Sequence, residues 1–381
     1  VQEFISGIRV LKTFSRTEHY TDTFSAESRV YKSEQLKLVR IDALFMPVVV
    51  MLVGLSTLLT IYIGSLKVIA SEISPGVIVQ FVFYVNILTW PFAVVGWVTS
   101  LVMKAEASMG RINEFLQTAS KIQEPATPNN FQTGDIELRH VRLTYEDTGI
   151  QALNEINLTI PQGTRIGIIG STGSGKSTLA NLLSRMLDPD EGSITIAGIP
   201  LQELRIATLR SKIGIVPQEV FLFSDTIANN ISFGRDSMTE EEIETAAKQA
   251  GVHDNIIGFE QGYNTLLGER GINLSGGQKQ RISIARAIAR NPDILIFDDC
   301  LSAVDTETED QILQELRKVM AHRTSIFISH RISTIQDCDH IIVMDKGQII
   351  ESGTHASLVT QNGQYASLMR KQQFEREHRR D

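Results

Sequence analysis

Two stretches of this chain, Ala43 to Leu66 and Ile73 to Met103, contain no charged side chain, and only a short gap holding Lys67 and Glu72 separates them. Each exceeds the roughly 20 apolar residues that carry a helix across about 30 Å of hydrocarbon. A buried pair of core helices is the competing reading, but core helices are usually shorter and keep a polar stripe. The lengths therefore predict two membrane spans, about 43–66 and 75–103, joined by a tight turn into a hairpin. Arg9, Lys12, Arg16, Arg29, Lys32, Lys37 and Arg40 precede the hairpin, while Lys104, Arg111 and Lys121 follow it, which puts both of its ends in the cytoplasm. Within the second run Gln80, Asn86, Trp90 and Pro91 break the apolar character. They either line a polar pathway, with Pro91 bending the helix, or are the ordinary amides and proline of a membrane helix.

Val1 lies inside a stretch, VQEFISGIRVLKTF, that reads as helix and lacks a secretion signal, so the chain is expected to be a fragment. After Met103 a helical stretch continues to Leu116, closing a first region over 1–116. The prolines and asparagines of KIQEPATPNNFQTGD then read as a linker over 117–133. Beyond it the β-branched runs IELRHVRLTY, INLTI, RIGIIG, SITIAG, ILIFDD, SIFIS and HIIVM alternate with helical patterns. This predicts an α/β domain over 134–364 with strands in a largely buried sheet. Residues 365–381 alternate in charge and read as a solvated tail. A net charge of −8 argues against nucleic acid as a partner. The two cysteines, Cys300 and Cys338, have no metal-ligand spacing and fit small core residues in a reducing compartment.

The run RIGIIGSTGSGKSTL places Gly170, then four residues, then Gly175, Lys176 and Ser177 between an apolar strand and a helical pattern. That is the context in which a P-loop forms. Gly170, Ser171, Thr172, Gly173, Ser174, Gly175, Lys176, Ser177 and Thr178 make the expected cradle. The glycines let backbone N–H groups turn toward a polyphosphate, the helix N-terminus adds positive charge, Lys176 reaches the outer phosphates and Ser177 is a Mg²⁺ ligand. A second apolar strand, ILIF, ends in Asp298 and Asp299. The first carboxylate would hold Mg²⁺ through water and the second would face the attacking water.

P-loops serve many activities, and LSGGQKQRISIARAI chooses among them. Leu274, Ser275, Gly276, Gly277 and Gln278 open a helix there, making a second anion site of the P-loop kind. The order P-loop, Gln218, LSGGQ, Asp298, LSAVD and His330 resembles that of ATP-binding cassette (ABC) transporters, and the resemblance covers essentially the whole chain. It implies a partial α-helical membrane domain with two transmembrane helices, followed by an α/β P-loop NTPase domain of ABC type. It implies further that each P-loop faces the signature of a partner, with ATP and Mg²⁺ sandwiched in a head-to-tail dimer. Tyr145 matches the aromatic that stacks on adenine, Gln218 a Mg²⁺ and water contact, and His330 the γ-phosphate contact. Asp305 matches the loop that communicates across the dimer, and Glu269 the segment that senses the membrane domain.

One position departs from the family. Asp299 stands where a Glu normally follows the metal-linked Asp. The shorter carboxylate would sit about 1 Å or more from its working place, a displacement that can cost about 10²-fold. The chain thus resembles the degenerate-site half of bacterial heterodimeric exporters, its own site spoiled and its intact LSGGQ completing the partner's. The expected activity is ATP-driven export of an amphipathic solute, drug or lipid across the plasma membrane by a half-transporter, with about four further spans supplied by sequence before Val1. A heterodimer is the favoured assembly and a homodimer the other. The alternative reading is a regulatory ATP-binding subunit that hydrolyses little itself. Expected catalytic residues are Lys176, Gln218, Asp299 and His330, and expected metal ligands are Ser177, Gln218 and Asp298.

Overall fold

A computed structural model describes residues 2–235, 237–268, 271–302 and 306–377. The chain divides into two compact units, Val1–Ala119 and Ser120–Asp381.

The first unit is helical. The opening stretch forms two short helices, α1 (Gln2–Ser6) and α2 (Ile8–Thr13), broken at Gly7. The long helices α3 (Thr17–Ile69) and α4 (Pro75–Gln117) then pack as a hairpin. Pro75 starts α4 at the position where its missing N–H costs nothing. Both helices run well past the uncharged stretches, since the polar flanks are rich in Glu, Lys, Gln and Leu, good helix formers. Each helix also continues through its internal proline, Pro47 or Pro91. Near the turn the helices approach closely at Gly64, where a Cβ would lie 2.8 Å from Ile78. Polar side chains in this hairpin bond locally. Asn86 Nδ2 donates to the Val82 carbonyl at 2.8 Å, Gln80 reaches the Tyr84 hydroxyl at 2.6 Å, and Thr57, Thr60, Thr89 and Thr99 each donate to the carbonyl four residues back. Gln80 and Asn86 thus each have a hydrogen-bond partner within their own helix.

The second unit holds two sheets rather than one. Strands β1 (Ile136–Tyr145), β2 (Ile150–Ile160), β4 (Glu191–Ile196) and β5 (Ile199–Pro200) form an antiparallel sheet in the order β2-β1-β4-β5. The other sheet has the order β10-β9-β3-β8-β7-β6. Its members are β3 (Arg165–Gly170), β6 (Ile213–Val216), β7 (Ile294–Asp298), β8 (Thr324–Ile328), β9 (His340–Asp345) and β10 (Gln348–Gly353). All are parallel except β10, which returns antiparallel to β9. Helix α5 (Lys176–Leu183) follows β3, and α6 (Ile206–Lys212) precedes β6. A helical segment of α7 (Ile227–Ser232), α8 (Glu240–Gln249), α9 (His253–Ile257) and α10 (Gly276–Ala289) separates β6 from β7. Helices α11 (Thr306–Val319), α12 (Ile332–Ile335), α13 (His355–Gln361) and α14 (Gln364–Glu377) complete the unit.

Strands β7 and β8 are buried at every position, and mostly apolar, because both faces of the sheet are covered. In β7, Ile294 and Ile296 join the core against the antiparallel sheet, while Leu295 and Phe297 join the core under the helical segment. Phe297 stacks on Phe327 of β8 at 4.8 Å, so Phe297→Ala would cost about 3–5 kcal/mol. The two sheets meet at Ala152 and Asn154, with Asn154 N–H donating to the Gly347 carbonyl at 2.8 Å. Cys300 is buried, Cys338 is half-buried, and both are free thiols; burial pushes Cys338 up to about 12.

The expected solvated tail is instead helical as far as Glu377 and packs at its start. Tyr365 is fully buried, and its hydroxyl lies 2.7 Å from His355 Nδ1. Charge alternation described the outer face of α14 and concealed its anchored end.

Candidate functional site

Parallel strands deliver their carboxyl ends to one edge of a sheet, and ligands bind at that edge in open α/β folds. Here β3 ends at Gly170, β7 at Asp298 and β8 at Ile328, and the residues just beyond β6 and β8 include Gln218 and His330. The result is a cleft of about 260 Å³. Its lining brings together Tyr145, Thr172, Gly173, Ser174, Gly175, Lys176, Ser177, Thr178, Gln218, Asp298, Asp299 and His330. Gly170 and Ser171 form the start of the loop without lining the cleft, and Ser171 Oγ donates to Asp345 at 3.0 Å. Ile150 and Ala152 also line the cleft. Nothing local in the sequence marks them, since apolar strand residues look alike until the partner sheet is known.

The loop is held open for a ligand by its own chain. Gly175 is the N-cap of α5 at φ 95°, and a Cβ there would lie 2.4 Å from the Ala152 carbonyl, so no other residue fits. No side chain caps this helix, which leaves its first N–H groups for something else. Lys176 is only 6% exposed, and its ammonium donates to the carbonyls of Gly170 and Ser171 at 3.0 and 2.7 Å and to Ser174 Oγ at 3.2 Å. Burial pulls Lys176 below the usual lysine range, opposed by the nearby Asp298 and Asp299 charges. Asp298 is equally buried, and burial raises it above the usual carboxylate range despite a hydrogen bond from Ser177. Tyr145 is partly exposed at the rim, with its hydroxyl 3.1 Å from Thr178 Oγ1.

Asp299 is half-buried and adopts φ 46°, the left-handed region, with its N–H bonded to the Ile328 carbonyl at 2.8 Å. Aspartate and asparagine enter that region far more readily than longer side chains. The short residue thus suits its backbone at the same time as it shortens the carboxylate's reach. Ser302 Oγ donates to the Asp299 carbonyl at 2.9 Å and accepts from Gln280 of α10 at 3.2 Å, while Arg331 donates to the Ser302 carbonyl at 3.0 Å.

Ser275, Gly276, Gly277 and Gln278 do not line the cleft. They start α10 with a capping box in which Gln278 N–H donates to Ser275 Oγ at 3.2 Å and Ser275 N–H donates to Gln278 Oε1 at 2.9 Å. Ser275 and Gly276 are exposed. Asp305 and Glu269 lie outside the described residues.

The donors Ser177, Asp298 and Gln218 share the cleft and are all oxygen-bearing, a set suited to Mg²⁺. These residues supply only part of an octahedral shell, which for Mg²⁺ is ordinarily completed by water and phosphate oxygens. The cleft can thus bind a nucleoside polyphosphate and place carboxylates at its outer end.

Residues 153–302 match the family model described as ABC transporter, and residues 1–92 match the ABC transporter transmembrane region. The chain is 40% identical over 374 residues to the multidrug resistance-like ATP-binding protein MdlA of Escherichia coli (strain K12), covering 98% of this chain and 63% of that protein. It is 36% identical over 370 residues to the ATP-dependent lipid A-core flippase of Syntrophus aciditrophicus (strain SB), covering 97% of this chain and 61% of that one. Among solved structures, a bacterial Atm1-family ABC exporter with ATP bound superposes with a TM-score of 0.89 at 33% identity, over 97% of this chain and 65% of that chain. The chain therefore spans less than two thirds of the length of these relatives.

Proposed function

The chain belongs to the ABC transporter family, its helical unit a membrane region and its α/β unit a cytoplasmic ATP-binding domain, and from that premise we propose that it drives export of an amphipathic solute, drug or lipid as one half of a dimeric transporter. One observation carries the reading. The cleft that gathers the P-loop with Asp298, Asp299, Gln218 and His330 excludes Ser275–Gln278, which start another helix with Ser275 and Gly276 exposed and Gly277 and Gln278 half-buried. A chain with two separated phosphate-binding turns needs a second chain to bring a turn of each kind onto one nucleotide.

In this scheme Tyr145 supports the adenine, the 172–178 loop and Lys176 hold the phosphates, and His330 and Gln218 meet the outer phosphate and its water. Ser177, Asp298 and Gln218 would hold Mg²⁺, which would supply neutralisation of phosphate charge and polarisation of the outer phosphoryl group. Asp299 orients the attacking water. Burial keeps Lys176 and Asp298 in a poorly solvated site, where each charge acts more strongly than it would in water. Binding energy released when Ser275–Gln278 of a partner closes on the phosphates then closes the dimer.

The names of the relatives, a multidrug resistance-like protein and a lipid A-core flippase, support an amphipathic cargo. Asp299 favours a second reading of the same assembly: a heterodimer in which this chain's own site holds ATP and hydrolyses little, with turnover at the partner's P-loop. The test is ATP-dependent accumulation of an amphipathic fluorescent dye in inverted membrane vesicles containing the protein, alone and with its genomic neighbour. Accumulation should require ATP and vanish with Lys176→Ala. Transport that persists without ATP would sink the proposal, and equal rates with and without the neighbour would remove the heterodimer.

A further inference from the structure

The segment after β8 carries His330 into the cleft and then turns at once into α12, a single helical turn. Before His330 the backbone is tied to the phosphate-loop strand, since Ser329 N–H donates to the Ile168 carbonyl at 3.1 Å. After it, no side chain within α12 or at its N-cap, Arg331, caps the helix. The missing cap comes from elsewhere in the fold. Gln372, on α14, donates from Nε2 to the His330 carbonyl at 2.6 Å and accepts from Ile332 N–H at Oε1, at 3.0 Å.

One amide therefore spans the backbone on both sides of Arg331. Its orientation is fixed by chemistry, because the reversed amide would set oxygen against the carbonyl and NH₂ against the N–H. Helix α14 is itself anchored two turns earlier. Glu351 of β10 accepts from the N–H groups of Gln364 and Tyr365, and the buried Tyr365 ring fixes the axis. Gln372 is half-buried, so its loss would admit water to the two backbone groups and leave α14 in place.

We propose that Gln372 is a positioning residue for His330, setting from the C-terminal helix where the imidazole stands against the outer phosphate of the bound nucleotide. This rests on the reading of the cleft as an ATP site in which His330 meets the terminal phosphate. A residue acting through that contact changes ATP binding and leaves ADP binding alone, because ADP lacks the group His330 would touch.

The experiment measures ATP and ADP affinities of the purified full-length chain by titration, which avoids any dependence on turnover at Asp299. Gln372→Ala should weaken ATP by about tenfold, the scale of one lost charge-assisted hydrogen bond, and leave ADP within about twofold. Gln372→Glu keeps an acceptor for Ile332 N–H but turns a carboxylate toward the His330 carbonyl, and should show the same selective loss in a folded protein. In a His330→Ala background Gln372→Ala should have no further effect, since two residues acting through one contact are not additive. Unchanged ATP affinity, an equal fall for ATP and ADP, or a further fall on the His330→Ala background each overturns the proposal. Failure of the nucleotide-site reading would look different: Lys176→Ala would then bind ATP as well as the wild type.

Discussion

Helices α5 and α10 both begin at glycine-bearing turns that resemble phosphate sites, and their first turns are finished in opposite ways. At α5 the N-cap is a left-handed glycine with no side-chain cap, and the one charged group present, Lys176, is buried against its own loop carbonyls. At α10 Ser275 and Gln278 close a reciprocal box, leaving the N–H groups of the exposed Gly276 and the half-buried Gly277 as the donors on offer. The first turn has no side chain closing its leading N–H groups. The second is stable alone and can meet a ligand brought to it. A helix start that caps itself suits the docking role proposed for it, because such a turn keeps its shape without a partner.

The largest test of this contrast is Lys176→Ala. Removing a buried cation from a phosphate site costs on the order of 3–4 kcal/mol, so ATP affinity should fall about 10²–10³-fold. Thermal unfolding of the nucleotide-free protein should change little, because the ammonium bonds only its own loop and one neighbouring hydroxyl. Titration with ATP checks the first outcome and a melting curve the second.

Ser275→Arg should give the complementary result. ATPase of the proposed dimer should fall by about 10²-fold as the bulky cation occupies the proposed anion site, while ATP affinity of the lone chain stays unchanged. If the lone chain lost ATP as Lys176→Ala does, the two turns would serve one nucleotide and the contrast would collapse. Ser275→Ala, which only opens the box, should lower stability by about 1 kcal/mol.

A smaller effect is expected at Asp299. Asp299→Glu gains reach toward water but loses the fit of a short side chain to φ 46°. Turnover at this chain's own site should rise by about tenfold, well short of a full repair, because backbone strain at that position persists. The measurement is ATPase of the protein with and without its partner, with Asp299→Asn as the inactive reference. A wild-type homodimer turning over at about 1–10² per second, as efficient phosphoryl-transfer enzymes do, would make Asp299 a competent residue as it stands.

The smallest effect concerns Asp298. Its folded carboxyl sits above the ordinary range because of burial, so the folded state holds that proton more tightly than the unfolded chain. The sign is then fixed: stability associated with this group is present at low pH and is lost as pH rises through the raised value. Asp298→Asn should therefore raise the melting midpoint of the nucleotide-free protein at neutral pH. The gain should shrink as pH falls into the ordinary carboxylate range. A gain that grew on acidification would mean Asp298 is stabilised as the anion.

Much of this could be read from the chain because it rests on short spacings. Gly170 to Ser177, Ser275 to Gln278 and the Asp298–Asp299 pair are local patterns, and each stands on the local element its spacing required. The uncharged runs measured the thickness of hydrocarbon and so underreported α3 and α4, whose polar flanks keep the helix going. What stayed hidden depended on contacts between distant segments. The division into two sheets, the burial of Tyr365, the lining by Ile150 and the bond from Gln372 to His330 join residues far apart in sequence, and no local period encodes them. Asp299 was legible as a departure, but the left-handed backbone that suits it was not.

The contact of Gly175 with Ala152 sets a fixed gauge inside the cleft. Tyr145 belongs to the antiparallel sheet and the phosphate loop follows a strand of the other, so the span from the proposed base platform to the proposed phosphate cradle is the distance between two sheets. That distance is set by main chain touching main chain at Ala152, and by the Asn154 to Gly347 bond beside it. The length of nucleoside that can bridge platform and cradle is therefore decided before any ligand arrives. Adding a single methyl group at position 175 would wedge the sheets apart and detune the gauge, even with every side chain that touches the ligand left in place.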